Sequence, residues 1–182
     1  MIYRTAVALI LLSLAPYLYA QEWSQEPAAF RKVPFGANEA AVRMQLSTSE
    51  CFPGNEAGER FCNGDGSQAI GDVATSETYL LKRDAFTAVH IKFDSDDYEY
   101  LRDVFIQRYG DPHDKVTATA KTLAGITLQN ETLKWRGQNA VVTLSHYSEK
   151  VTTGIAIVGT REWYDSFSGA EQEKKRKAAR SF

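Results

Sequence analysis

The sequence predicts an α+β domain: one antiparallel sheet of about five to six strands with two helices packed on one face. Three observations carry this. Residues 78–93 alternate apolar and polar side chains, the period of half-buried strands. Residues 94–112 then place Tyr98, Leu101, Phe105 and Tyr109 at helical spacing. Residues 128–161 hold three further apolar stretches separated by short polar turns. The order helix, strands, helix, strands also suggests two α-β-β-β halves sharing one continuous sheet.

The first 20 residues stand apart. Arg4, an apolar run over residues 6–14, Pro16 and the small Ala20 read as a secretory signal peptide, residues 1–20, cleaved before Gln21. The run is shorter than the roughly 20 residues that span a bilayer. Residues 21–29 read as a flexible arm, residues 30–167 as a single domain, and residues 168–182 as a basic C-terminal tail or surface helix.

A first helix follows Phe35-Gly36. Asn38 is its predicted cap, Glu39 sits in its first turn, and Val42 with Leu46 forms the apolar pair that turns toward a sheet. Residues 53–71 are rich in glycine and read as irregular. Asn63-Gly-Asp-Gly-Ser67 has the look of a calcium loop, but Gln68 and Ala74 stand where that loop needs glycine and glutamate. It reads as a turn.

Tyr79 and Leu81, then Val89, Ile91 and Phe93, give two strands one inward face. Lys82-Arg-Asp-Ala85 joins them as a hairpin. Asp94 or Ser95 caps the helix that follows, Asp96, Asp97 and Glu99 favour its positive end, and Gly110 with Pro112 ends it. Residues 113–125 are polar and read as a loop, or a loop with a short strand. Gly137-Gln-Asn139 is a hairpin turn, Trp135 a core aromatic, and the strand over residues 152–161, apolar on both sides, a central one.

Cys51 and Cys62 are the only cysteines. In an exported chain they are expected to pair. Closing so short a loop stabilises by roughly 2.5–3 kcal/mol. Two cysteines without a nearby histidine make a poor metal site, and no cofactor is implied. Formal net charge is −2. The body is mildly acidic, which argues against nucleic acid as a partner. The basic tail (Lys174, Lys175, Arg176, Lys177, Arg180) is a solvated end or a contact for an anionic surface.

Candidate catalytic groups are few. His90, His113 and His146 lack metal-ligand spacing. Ser145 and His146 are neighbours in a strand and point to opposite faces. The Asp94, Asp96 and Asp97 cluster is accounted for by capping. Tyrosine and tryptophan suit interfaces. The sheet face away from the two helices is therefore the candidate binding surface, with His90, Lys92, Tyr100, Tyr147, Trp163 and Tyr164 as its candidate residues.

Phe30-x-x-x-Pro-Phe-Gly36, the two cysteines, Phe93-Asp-Ser-Asp-Asp-Tyr98, Arg108-Tyr-Gly-Asp-Pro112 and Asn130-Glu-Thr-Leu-Lys-Trp135 together resemble a group of small exported bacterial proteins of unknown function. The resemblance implies periplasmic residence and helices on a sheet, and it carries no activity or catalytic residues. The double α-β-β-β layout is also similar to that of β-lactamase inhibitory protein, a likeness of architecture alone. The expected function is a non-enzymatic periplasmic module that binds a protein or a small ligand. The alternative is a small periplasmic hydrolase whose residues converge only in three dimensions.

Overall fold

The computed structural model describes residues 23–121, 125–148 and 150–180, so the predicted signal peptide lies outside the described residues. The chain begins with β1 (Ala29–Phe30), β2 (Val33–Pro34) and α1 (Glu39–Gln45). Next come β3 (Thr48–Pro53), β4 (Glu59–Gly64), the small hairpin β5 (Ala69–Ile70) and β6 (Val73–Ala74), then β7 (Ser76–Lys82) and β8 (Ala85–Asp94). A short 3-10 turn, Ser95–Asp97, leads into α2 (Tyr98–Tyr109). Four strands follow, β9 (Asp114–Lys121), β10 (Thr127–Arg136), β11 (Ala140–Ser145) and β12 (Thr153–Thr160), and then α3 (Arg161–Ala179).

Eight strands form one sheet in the order β3-β4-β7-β8-β12-β11-β10-β9. Every pairing in it is antiparallel. The predicted halves exist, but each has four strands rather than three: α1 with β3, β4, β7 and β8, and α2 with β9 to β12. The halves join through their last strands, β8 against β12, and β12 is central as its two-sided apolarity predicts. The additional strands are β3, β4 and β9. Their sequences are mostly polar, and β3 and β9 are largely exposed, so they carry little of the alternation that marks a strand.

The expected caps form. Asn38 accepts a 3.0 Å bond from the Ala41 N–H at the start of α1. Asp94 accepts one of 3.0 Å from the Asp96 N–H, which caps the 3-10 turn; α2 itself starts at its N-cap Asp97 without a side-chain cap bond. Tyr98, Leu101, Phe105 and Tyr109 are the buried stripe of α2. They meet Tyr79, Val89, Ile91, Trp135 and Val158 on one sheet face, where Val42 and Leu46 of α1 also pack. Each large side chain so buried stabilises by about 1.5–3 kcal/mol. The C-terminal carbonyls of α2, which lack helical donors, are met by two indoles. Trp23 Nε1 donates to the Tyr109 carbonyl and Trp135 Nε1 to that of Gly110, each at 2.7 Å.

That contact corrects the expectation of a loose arm over residues 21–29. From Trp23 onward the segment is tied down. Trp23 also packs edge-on against Tyr109 and His113. Glu26 accepts hydrogen bonds from the Asn139 and Ala140 N–H groups, holding the β10–β11 turn.

A second correction concerns the outer sheet face. Two helices do share one face, but α3 covers part of the other. Its Thr160 cap accepts from the Trp163 N–H at 3.2 Å, and Trp163 is buried against Leu80 and Ala88. The predicted tail boundary at residue 168 falls inside this helix. Beyond Ser168, α3 is largely exposed. Its first two turns bind it to the sheet through Trp163 and Tyr164, which weak apolar periodicity further along the helix did not reveal.

The disulfide forms as expected. Cys51 and Cys62 lie directly opposite each other on β3 and β4 and are bonded. Among the described residues, no helix is long and apolar enough to cross a membrane.

Candidate functional site

A cavity of about 230 Å³ lies on the inner face, between α2 and the chain that precedes the main sheet. Its floor is Ile91 of β8 and Val158 of β12, both buried. One wall is α2, which supplies Val104, Phe105, Arg108 and Tyr109. The opposite wall is Phe30 and Arg31, at the β1–β2 turn, with Ala69 and Ile70 of the β5–β6 hairpin. That hairpin leans on α2: a Cβ at Gly71, where φ is +60°, would collide with the Tyr100 hydroxyl. Five elements thus enclose an apolar space whose mouth carries two guanidinium groups.

Arg31 is held in place from below. Its Nη2 donates 2.6 Å to Oε1 of Glu77 and 2.8 Å to the Ala69 carbonyl. The Glu77 side chain is fully buried, while that of Arg31 is 38% exposed. Glu77 also accepts from the Tyr79 hydroxyl at 2.6 Å and the Thr75 hydroxyl at 3.3 Å. Burial, and then the bond to Glu77, raise the pKa of the Tyr79 hydroxyl, so it stays a donor. A buried carboxylate with four lone-pair directions needs such a set of donors. The β1–β2 turn itself places both central residues, Arg31 (φ 46°) and Lys32 (φ 73°), in the left-handed region. This is the geometry of a type I′ hairpin built without glycine, and it costs about 1–2 kcal/mol per residue.

Arg108 lines the same cavity from α2, exposed, its guanidinium carbon 5.5 Å from the Tyr109 ring centre. Among the described residues it makes no ion pair. Burial raises the Tyr109 hydroxyl's pKa, and the adjacent Arg108 opposes that rise. Arg31, Arg108 and Glu77 leave the mouth with one net positive charge.

The six residues expected on the outer face do not form one surface. His90, Lys92, Trp163 and Tyr164 lie there, but His90 is under α3. Its ring centre is 5.4 Å from that of Trp163 and 6.1 Å from that of Phe167. Lys92 is exposed, and Tyr164 stacks under the Lys134 ammonium at 4.4 Å. Tyr100 is on α2 against Gly71, on the opposite side of the sheet. Tyr147 stacks on His146, which stacks in turn on Tyr98 at 4.0 and 4.4 Å.

Other polar groups are committed to structure. Tyr98 donates 2.9 Å to Glu131, and Glu131 also pairs with Lys115. Burial works to raise the Glu131 pKa, but Lys115 and Tyr98 outweigh it, and the net shift is down. His113 Nδ1 accepts from the Arg136 N–H at 2.9 Å. Asp65 accepts from Ser67 and Gln68 within the turn once likened to a calcium loop.

Sequence reasoning missed Arg31, Glu77 and Arg108. One signal was present: Glu77 falls in the inward register of Tyr79 and Leu81, where a carboxylate needs a cationic partner. No protein-family model matches the chain, and neither does any curated protein or solved structure.

Proposed function

We propose that this protein is an exported, non-enzymatic binding module that takes a small ligand into the inner-face cavity. The observation that carries the reading is the convergence of five elements on an apolar space open to solvent at one side, with oriented polar groups at its mouth. Small-molecule sites have this composition. Export is supported by the signal-like residues 1–20, by the Cys51–Cys62 bond and by the resemblance to small exported proteins. The residence this implies is the periplasm or the extracellular medium. The alternative hydrolase would need a histidine and a carboxylate in mutual reach beside a pocket; among the described residues, neither a histidine nor a carboxylate lines the inner-face cavity.

The cavity is small. At about 30 Å³ per water-sized atom it takes roughly eight non-hydrogen atoms. At about 0.6 kcal/mol per atom, such a ligand binds with a dissociation constant of a few tenths of a millimolar. Hexanol, hexanoate and hexylamine are suitable probes, since they share one apolar body. Calorimetric titration of the mature protein should show at least one of them bound below about 1 mM, with binding lost in Val104→Trp, which fills the cavity. If none of the three binds the wild type, the reading is wrong. For export, the chain isolated from cells should begin at Gln21. A chain that retains Met1 and has two alkylatable thiols would contradict it.

A further inference from the structure

The geometry points to the ligand class: we infer that the cavity takes an amphipathic monoanion, with a carboxylate between Arg31 and Arg108 and a short apolar body over Ile91 and Val158. This rests on the binding-module reading above and goes beyond it, because the enclosed volume alone would suit a neutral ligand equally well.

Three observations converge. First, the mouth holds two guanidinium groups and no acidic group except Glu77, whose side chain is fully buried behind Arg31. The charge left over is one positive unit, which a monoanion neutralises. A dianion such as inorganic phosphate overshoots it, and a cation is repelled. Second, Glu77 occupies Nη2 of Arg31 alone. A guanidinium has five N–H donors, so Arg31 keeps donors for a ligand while its position stays fixed by a carboxylate, a carbonyl and a two-residue turn. Arg108 is the second donor group: it sits on the last turn of α2 beside the Tyr109 ring, is exposed, and is paired with no carboxylate among the described residues. Third, the floor is apolar. Ile91 and Val158 are 0% and 1% exposed, and Phe105 is 4% exposed. Phe30, Ile70 and Val104 line the walls above it, and a hydrocarbon body is what such a lining takes up.

The Arg31–Glu77 pair neutralises the buried carboxylate, so a structural counter-ion role for Arg31 accounts for Glu77 but not for Arg108. Arg108 is the residue on which the two explanations differ. A guanidinium bond to a carboxylate is charge-assisted and bidentate where geometry allows, which favours arginine over lysine at this position.

The test uses the mature protein and the same three probes. Hexanoate should bind at least tenfold tighter than hexanol at 20 mM salt, and hexylamine should not bind. Raising salt to 300 mM should narrow the ratio, since the mouth is exposed. Arg108→Gln should bring hexanoate down to the affinity that the same variant shows for hexanol; Arg108→Lys should recover part of the loss. Arg108 is exposed, so the variants keep the fold, which circular dichroism verifies. Hexanol binding as tightly as hexanoate, or an unchanged ratio in Arg108→Gln, would overturn the anion assignment while leaving the binding module standing. Binding of none of the three by the wild type would overturn both.

Discussion

Acidification from pH 7 to 4.5 should destabilise this protein through His90 in particular. The imidazole lies on β8 between Thr78 of β7 and Ile157 of β12. Trp163 and Phe167 of α3 cover it. Its Nε2 is buried without a hydrogen-bond partner. Burial, and secondarily Lys92 on the same strand face, lower its pKa from 6.5 to about 4. Above pH 6.5 the ring is neutral in the folded and unfolded chains, and nothing is lost. Between 6.5 and 4 the unfolded chain takes up a proton that the folded one refuses, so stability falls as pH falls. At about 1.4 kcal/mol per pKa unit the full loss approaches roughly 3 kcal/mol, and most of it is present by pH 4.5. The assay is urea denaturation at pH 7.0 and 4.5 for wild type and His90→Phe. Phenylalanine keeps the ring contacts and removes the titration. Carboxylates titrate alike in both proteins and cancel in the difference. The wild type should lose about 2–3 kcal/mol more than the variant. Parallel losses would refute the reasoning. So would a His90 Hε1 resonance that titrates near pH 6.5.

Other outcomes follow from the same contacts. Reducing the Cys51–Cys62 bond, or replacing both residues by alanine, should lower unfolding free energy by about 3 kcal/mol, measured in urea with and without reductant. A change under 1 kcal/mol would mean that the bond adds little to the β3–β4 edge. Glu77→Gln should cost roughly 2–3 kcal/mol, because Arg31 loses its buried counter-charge; an unchanged melting curve would contradict the ion-pair account. Glu26→Ala should cost about 1.5–3 kcal/mol by freeing the Asn139 and Ala140 N–H groups. Their amide exchange should quicken, and unaltered exchange would show that the turn holds without Glu26.

Sequence reading succeeded where local signals agree. At α2, Asp94, the acidic Asp96, Asp97 and Glu99, the four-residue apolar stripe and Gly110 all point to one helix; that helix forms, entered through a 3-10 turn that Asp94 caps. The β7–β8 hairpin was legible from alternation alone, although its turn residues Arg83 and Asp84 take positive φ without glycine or asparagine. One detail shifted. The inward set of β8 does not extend back to Thr87: a register irregularity after Leu80 gives that place to Phe86. β3 and β9 were hidden because edge strands with exposed faces have no apolar period to show, and β4, beside β3, because its mixed polar residues show none either. The cavity was hidden for another reason. Arg31 and Glu77 are 46 positions apart, and β4 and the β5–β6 hairpin intervene. No spacing rule links them. Only the pairing of β7 between β4 and β8 brings the inward carboxylate under the first turn of the domain. His90 was correctly placed on the outer side of its strand, but the helix that covers it starts at Arg161, inside what read as a strand end.

The most direct measurement is an amide NMR titration of the mature protein with hexanoate. Shifts confined to Arg31, Ile70, Ile91 and the Val104–Tyr109 turns of α2 are the predicted result. Shifts centred on α3 or on the β9–β10 hairpin, or no shifts at millimolar hexanoate, would contradict the inner-face cavity as the binding site.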